Sequence, residues 1–281
     1  MSRLLVKPKG RDGLVTQVTP QSAGWTYVGF DLHRLAAGDE ASGDTGGREV
    51  CLVFISGRGK ASVAGKDIGL LGERMSPFEG KPWSVYVPQG SDWSVTAETE
   101  VALAVCSAPG LGGKLPSRVI GPDEVGQEVR GKGTNTRYVT NILPETAPAD
   151  SLLIVEVITP GGHTSSYPPH KHDRDDLPRE SLLEETYYHR LNPAQGFAFQ
   201  RVYTDADASG VRALDETMCV EDGDVTLVPR GYHPCAAIHG YDLYYLNVMA
   251  GPTRTWRFHN APEHEWLLKG LIERALVQRA G

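Results

Sequence analysis

The sequence lacks the features that mark several specialised classes of protein. Its 281 residues carry a formal net charge of -7, so no positive field would attract a phosphate backbone or an anionic membrane surface. No apolar run reaches the length of about 18 residues that a helical membrane span requires, and the residues after Met1 lack the apolar core of a secretory signal. We therefore expect a cytoplasmic protein without nucleic-acid or membrane partners, acting on a small molecule.

Cysteine is scarce, and its spacing excludes the common zinc-finger and dithiol motifs. The four cysteines, Cys51, Cys106, Cys219 and Cys235, form no C-x-x-C pair. Each lies in or beside an apolar run typical of a strand. We predict four buried thiols in a reduced protein.

Glycine and proline are abundant instead, with 32 and 19 residues. They separate short runs of Val, Leu, Tyr and Phe, which favours many strands joined by turns over a helical bundle. The predicted strands cover residues 25–35, 49–55, 59–63, 84–87 and 101–107, then 137–142, 152–158, 186–191, 197–203, 224–228 and 243–249. A short amphipathic helix is predicted at 267–280. The fold class is therefore all-β.

The strands fall into two groups that look like copies of one unit. The segment Val87-Pro88-Gln89-Gly90 of the first group matches Val228-Pro229-Arg230-Gly231 of the second. Asp92 follows the first turn at the position where His233 follows the other. We predict an N-terminal domain at 1–110, a Gly- and Pro-rich connector at 111–150 and a C-terminal domain at 151–281.

His170 and His172 form a His-x-His pair. In an extended segment both imidazoles leave the same face, about 6.6 Å apart along the backbone, and can close on one ion. The same spacing also occurs in solvated loops. The neighbouring Pro-Pro, the later Glu184-Glu185 and the Pro-x-Gly-x-His turn that ends at His233 make a metal site the better interpretation.

Together these elements resemble the cupin superfamily, with its motifs G-x5-H-x-H-x(3,4)-E-x6-G and G-x5-P-x-G-x2-H-x3-N. The resemblance implies double-stranded β-helix barrels, with one metal per intact barrel held by His170, His172, a glutamate and His233. The chain departs from the pattern in three places. Glu185 stands 13 positions after His172, His233 comes one residue early, and the final Asn is missing.

The choice of glutamate follows from strand alternation. We prefer Glu185 to Glu184, because Tyr187 and His189 then share its face and an aromatic ring would floor the metal cavity. Other acids between the histidines and this strand could also ligate, although so dense a charge run is typical of a solvated loop. These acids are Asp173, Asp175, Asp176 and Glu180.

Four segments carry a closer resemblance over almost the whole chain: 168–173 (PPHKHD), 184–190 (EETYYHR), 196–203 (GFAFQRVY) and 228–234 (VPRGYHP). They resemble the 5-deoxy-glucuronate isomerases of bacterial myo-inositol catabolism, relatives of the 5-keto-4-deoxyuronate isomerases of pectin breakdown. The resemblance implies two cupin barrels and conversion of 5-deoxy-glucuronate to 5-dehydro-2-deoxy-gluconate. The insertion before Glu184 favours the inositol branch. The alternatives are the pectin-type isomerase and a non-catalytic sugar-binding cupin.

Such an aldose–ketose shift needs a Lewis-acid metal, for which zinc or manganese suits the donors, and an acid-base group. The candidates for that group are Tyr187, Tyr203, His239 and Asp173. The substrate carboxylate calls for a guanidinium, from Arg201 or Arg230. We also expect the protein to be a homo-oligomer.

The first copy has His33 but no His-x-His pair, and Glu49 and Asp92 stand where ligands would be expected. We therefore predict a metal-free barrel whose role is packing. Lys132 and Arg137 in the connector could reach the mouth of the other half, but a solvated turn is the more ordinary interpretation.

Overall fold

Short β-strands form most of the regular structure in the computed structural model, which describes residues 2–112 and 114–268. The all-β prediction is confirmed. The predicted helix at 267–280 lies outside the described residues except for its first two positions, where a 3₁₀ helix, Pro262–Leu268, ends. None of the helices among the described residues is long and apolar enough to span a bilayer.

The first half of the chain builds two sheets. Its elements are β1 Leu5–Val6, β2 Gly13–Val18, α1 Pro20–Ala23, β3 Gly29–Leu35, β4 Glu40–Asp44, β5 Arg48–Ser56, β6 Gly59–Val63, β7 Lys66–Leu71, β8 Trp83–Val87, β9 Asp92–Ala97, β10 Val101–Pro109 and β11 Arg118–Ile120. One sheet has the order β11-β8-β5-β10-β3-β2, and the other the order β4-β9-β6-β7. Apolar side chains such as Leu52, Phe54, Val95 and Leu103 pack into one core between them.

The second half repeats this plan with a larger sheet. Its elements are β12 Gly126–Arg130, a 3₁₀ turn Gly133–Asn135, β13 Arg137–Leu143, β14 Leu153–Thr159, β15 Thr164–Ser165, β16 His170–Lys171, β17 Asp173–Asp176, β18 Glu180–Leu182, β19 Glu184–Asn192, β20 Phe197–Tyr203, β21 Asp215–Glu221, β22 Val225–Val228, β23 Cys235–Ala237, β24 Asp242–Ala250 and β25 His259–Asn260. The sheets have the orders β1-β22-β19-β24-β14-β13-β12 and β15-β23-β20-β21, and two small pairs, β16-β25 and β17-β18, lie beside them.

Strands from the predicted connector and from the N-terminus complete these sheets. Leu5 of β1 pairs with Thr226 of β22, so the beginning of the chain joins the sheet of the second half. Within the predicted connector, β11 extends the first sheet while β12 and β13 extend the second. The connector therefore contributes strands to both sheets, and the domain limits stay a prediction.

The register of the strands shows the internal repeat. Val50 of β5 pairs with Val87 of β8, and Glu185 of β19 pairs with Val228 of β22 in the same way. Because Val87 and Val228 begin the matching Val-Pro-x-Gly segments, Val50 holds the position in the first half that Glu185 holds in the second. An apolar side chain thus replaces the carboxylate there.

Three of the four cysteines follow the prediction of burial. Cys51, Cys106 and Cys235 are buried, but Cys219 is exposed. Along β21 exposed and buried side chains alternate, and Cys219 falls on the outer face beside the buried Met218 and Val220. The prediction for Cys219 is therefore wrong, because an apolar run on an edge strand still turns every second side chain outward.

Candidate metal centre

Three histidines meet at one end of the second half. The ligating nitrogens of His170, His172 and His233 all lie within 4.8 Å of one another. His170 comes from β16, which is held against β25, and His233 from the turn after β22. The extended backbone sends the intervening Lys171 the other way, where its Nζ contacts the Asp173 carboxylate at 2.8 Å.

Backbone carbonyls orient two of the three imidazoles. His172 donates from Nδ1 to the carbonyl of Leu183 at 3.0 Å, and His233 donates from Nδ1 to the carbonyl of Gly231 at 2.9 Å. Since a carbonyl oxygen only accepts, each Nδ1 carries the proton. In the neutral ring, Nε2 is therefore the atom whose lone pair can bind a metal, as in many metal-binding histidines.

Glu185 reaches into this group from β19. Its Oε2 lies 3.0 Å from His172 Nε2 and 3.3 Å from His233 Nε2, and its side chain is 2% exposed. Glu184 points the other way, and its carboxylate accepts hydrogen bonds from the backbone N–H groups of Thr26, Tyr27 and Val28 at 2.6 to 3.0 Å. Glu184 and Glu185 both pair with β24, so the strand is regular at this point. Successive side chains of a regular strand point to opposite faces of the sheet.

Burial and mutual charge keep two of the histidines neutral. Loss of hydration lowers the pKa of His170 well below its ordinary value, and the neighbouring imidazoles of His233 and His172 add to this. Burial also lowers the pKa of His233 to about 4, although the Glu185 carboxylate opposes the shift. Burial acts on His172 in the same direction, but the hydrogen bond and charge of Glu185 outweigh it and raise the pKa.

One buried atom of this group has no hydrogen-bond partner among the described residues. It is Nε2 of His233, in a side chain that is 0% exposed; the Glu185 carboxylate oxygen 3.3 Å away is itself an acceptor and makes no hydrogen bond to it. Leaving such a nitrogen unpaired costs free energy, and a metal ion would satisfy it. Three imidazoles with one carboxylate form a donor set that suits zinc and other first-row divalent ions. The residues present therefore fit a divalent metal.

The inserted segment after His172 connects the parts of the chain that carry His172 and His233. It forms the β17-β18 hairpin, so it is not simply a solvated loop. Asp173 accepts from the backbone N–H of Gly231 at 2.9 Å with its second oxygen, while Glu180 accepts from the backbone N–H of Asp173 at 2.8 Å. The turn that carries His233 is thereby tied to the segment that carries His172.

A cavity opens beside the histidines. His170, Glu185 and Tyr187 line it together with Ser166, Tyr245, Asn247, three valines, Arg130, Arg137 and Trp256. Tyr187 is buried, and its hydroxyl is 2.9 Å from Ser166 Oγ. Burial, reinforced by the Glu185 charge, raises the pKa of Tyr187 well above its ordinary value, so this phenol stays protonated at neutral pH.

The other predicted acid-base residues lie away from this cavity. Tyr203 packs on Tyr232 with ring centroids 5.1 Å apart and lies under Arg201. Burial raises its pKa to about 12. His239 is exposed in the turn between β23 and β24. The carboxylate of Asp173 is taken up by Lys171 and Gly231.

The two arginines proposed for the substrate carboxylate face outward. Arg201 forms a two-pronged ion pair with Asp215 at 2.6 and 2.7 Å on the exposed side of β20. Arg230 is exposed in the turn before Gly231. The guanidinium groups that do line the cavity are Arg130 and Arg137. Of these two, the sequence points only to Arg137, for which a solvated turn is the more ordinary interpretation.

The family comparison decides the wider identity of the chain. The sequence pattern of the KduI/IolB family matches residues 4–267. The chain belongs to the KduI/IolB family. It is 54% identical over 275 residues, covering 97% of this chain and 98% of the relative, to a 5-deoxy-glucuronate isomerase from Geobacillus kaustophilus. It is 46% identical over 276 residues, 96% of this chain and all of the relative, to the one from Bacillus subtilis strain 168.

Solved structures support the KduI/IolB assignment and the fold. An IolB-like protein from Salmonella typhimurium is 53% identical, with a TM-score of 0.91 over 94% of this chain and 99% of that one. A Bacillus subtilis oxalate decarboxylase is 15% identical, with a TM-score of 0.62 over 99% of this chain and 84% of that one. At that identity the second likeness concerns the fold alone, which is cupin-like.

Proposed function

We propose that this protein is a metal-dependent aldose–ketose isomerase that converts 5-deoxy-glucuronate to 5-dehydro-2-deoxy-gluconate. The observation that carries the proposal is the convergence of three imidazoles and one buried carboxylate at the wall of a cavity. Full-length relatives at 46% to 54% identity that are named 5-deoxy-glucuronate isomerase support it. They supply the substrate, which the geometry alone does not specify.

In this proposal one divalent ion, zinc or manganese, is held by four side chains: His170, His172, His233 and Glu185. When bound there, the ion supplies Lewis acidity toward a carbonyl and the adjacent hydroxyl. The two Nδ1 hydrogen bonds to Leu183 and Gly231 aim the imidazoles before the ion arrives.

The reaction moves a hydrogen from C2 to C1 and a proton from the C2 hydroxyl to the C1 oxygen. Of the four acid-base candidates, Tyr187 alone lines the cavity. Its raised pKa makes it a hydrogen-bond donor, so we assign it to the proton transfer between the two oxygens and not to removal of the C2 hydrogen. The hydrogen bond between Ser166 Oγ and the Tyr187 hydroxyl holds the Tyr187 ring in place.

We also propose two double-stranded β-helix barrels: a metal-free N-terminal barrel at 1–110, a connector at 111–150 and a metal-binding barrel at 151–281. The matching register of Val50 with Val87 and of Glu185 with Val228 supports this arrangement. The filled apolar core of the first half supports the metal-free assignment. The homo-oligomeric state and the cytoplasmic location remain predictions.

The test is turnover by the purified protein. We expect about one zinc or manganese ion per chain by elemental analysis, and conversion of 5-deoxy-glucuronate to its 2-keto isomer followed by NMR. Chelation should abolish the conversion and the same metal should restore it. Faster turnover of 5-keto-4-deoxyuronate would support the pectin-type isomerase instead. Binding of uronic acids without turnover of either substrate would support a sugar-binding cupin.

A further inference from the structure

Two arginines stand opposite each other on neighbouring strands at the cavity wall. Arg130 ends β12, Arg137 begins β13, and the two residues are direct partners in the antiparallel pair. Both line the cavity that contains His170 and Glu185. Like charges directly opposite each other on neighbouring strands destabilise a sheet, so this arrangement costs stability unless an anion comes between them.

The two arginines differ in how their charge is balanced. Arg130 donates to Glu128 Oε1 at 2.6 Å and lies over the Trp256 ring at 5.2 Å. Arg137 donates to Asn135, to the backbone oxygen at 3.0 Å and to the side-chain oxygen at 3.1 Å. Within residues 2–112 and 114–268, no carboxylate lies within ion-pair distance of Arg137. Its charge has no direct ion-pair partner there, and the more distant Glu128 carboxylate offsets it only in part.

Burial makes this imbalance costly. Loss of hydration is the main cause that lowers the pKa of Arg137; the charge of Arg130 lowers it further, and the charge of Glu128 opposes the shift without cancelling it. A charge withdrawn from water without a partner is unfavourable, and a bound anion removes the penalty. The planar guanidinium fork also matches a carboxylate with two parallel hydrogen bonds. The cavity thus contains a guanidinium group, that of Arg137, which has no ion-pair partner among the described residues and has the geometry to bind a carboxylate.

The cavity wall has apolar as well as charged parts. Val139, Val155 and Val157 line the same cavity and make part of its surface apolar. A uronic acid carries its reactive carbonyl at one end and its carboxylate at the other. When the arginines hold its carboxylate, the carbonyl end of the uronic acid is left to approach His170 in the same cavity.

We propose that Arg137, assisted by Arg130, binds the substrate carboxylate and so selects uronic acids over uncharged aldoses. This inference rests on the proposed function, and it replaces the surface residues Arg201 and Arg230 in that role. Arg137 is thereby a specificity-determining residue.

The first experiment compares Arg137→Gln with Arg201→Gln, an equal change at an arginine that is paired with Asp215 outside the cavity. We expect Arg137→Gln to lower kcat/KM for 5-deoxy-glucuronate by about 10- to 150-fold, the range for loss of hydrogen bonds to a charged group. The methyl ester of the substrate should react equally well with both variants, and Arg201→Gln should resemble the wild type. Metal content should be unchanged in both. Equal losses on acid and ester, or no loss on the acid, would overturn the assignment.

The second experiment separates this inference from the proposed function. Calorimetry of the metal-loaded protein with D-glucuronate should give binding that Arg137→Gln weakens and Arg201→Gln does not, while D-glucuronamide should bind weakly to all three. If the wild type binds D-glucuronate in this way but does not isomerise 5-deoxy-glucuronate, the carboxylate receptor stands and the proposed function fails. If Arg137→Gln turns over 5-deoxy-glucuronate at the wild-type rate, the receptor fails and the proposed function stands.

Discussion

Glu49 and Glu184 occupy the same position in the two halves, and each binds the backbone of the other half. Glu49 pairs with Ala108 of β10, and Glu184 pairs with Ala250 of β24. The Glu49 carboxylate accepts from the N–H groups of Asp150, Ser151 and Leu152 at 2.5 to 2.7 Å, just before β14. The Glu184 carboxylate accepts from residues 26–28, just before β3. Each glutamate thus anchors the backbone of the other half, and we call these two sets of hydrogen bonds the clasp.

Glu184→Gln should lower stability without affecting the metal. The amide oxygen can keep part of the hydrogen bonding to Tyr27 and its neighbours, but the charge that strengthens it is lost, so we expect a cost of about 1.5 to 3 kcal/mol. Thermal unfolding measures the change, with Glu98→Gln in an exposed ion pair as the control. An unchanged melting temperature would show that the clasp contributes little.

Glu185→Gln should have the opposite profile. A neutral amide is a poorer ligand than a carboxylate for a divalent ion, so metal affinity should fall by at least about 10- to 100-fold, the loss seen when outer-shell partners are removed. Isomerase activity should fall with it. Competition with a chelating dye gives the affinity. Metal loss in Glu184→Gln and retention in Glu185→Gln would reverse our choice of ligand.

His233→Ala should abolish metal binding, whereas Asp92→Ala, at the matching position of the first half, should leave it at one ion per chain. Removing one imidazole leaves a site too open to retain the ion. In the first half, Val50 stands at the position where the second half has the Glu185 carboxylate, so Asp92 has no matching carboxylate ligand. Elemental analysis of both purified variants checks this. A lower metal content in Asp92→Ala would mean that the first half also chelates.

Tyr187→Phe should slow the chemical step while keeping the metal. It removes one hydroxyl, which contacts Ser166, and general acid-base groups contribute about 10²- to 10⁴-fold in rate. We expect kcat to drop by about 100-fold or more with little change in KM. Tyr203→Phe, outside the cavity, is the control and should retain activity. Comparable rates in both variants would remove Tyr187 from the mechanism.

The amino-acid sequence by itself determined the local features of this protein. Alternation of apolar and polar residues, interrupted by glycine and proline, places the eleven predicted strands within four residues of their observed ends, although it misses others such as β2, β9 and β21. The His-x-His spacing places His170 and His172 on one face, and the period of two separates Glu184 from Glu185. The repeat of the Val-Pro-x-Gly turn also marks the two halves. Each of these depends on neighbours in the chain, so the information is local.

Tertiary structure alone decided which distant side chains share a space. Arg201 lies in a segment typical of the family, yet it faces outward because β20 pairs with β21 and brings Asp215 to it. Arg137 lies in what reads as a solvated connector, yet β13 docks beside β14 and turns its guanidinium into the cavity with His170. Strand order and docking are set by packing of the whole chain, and no short window of sequence contains them.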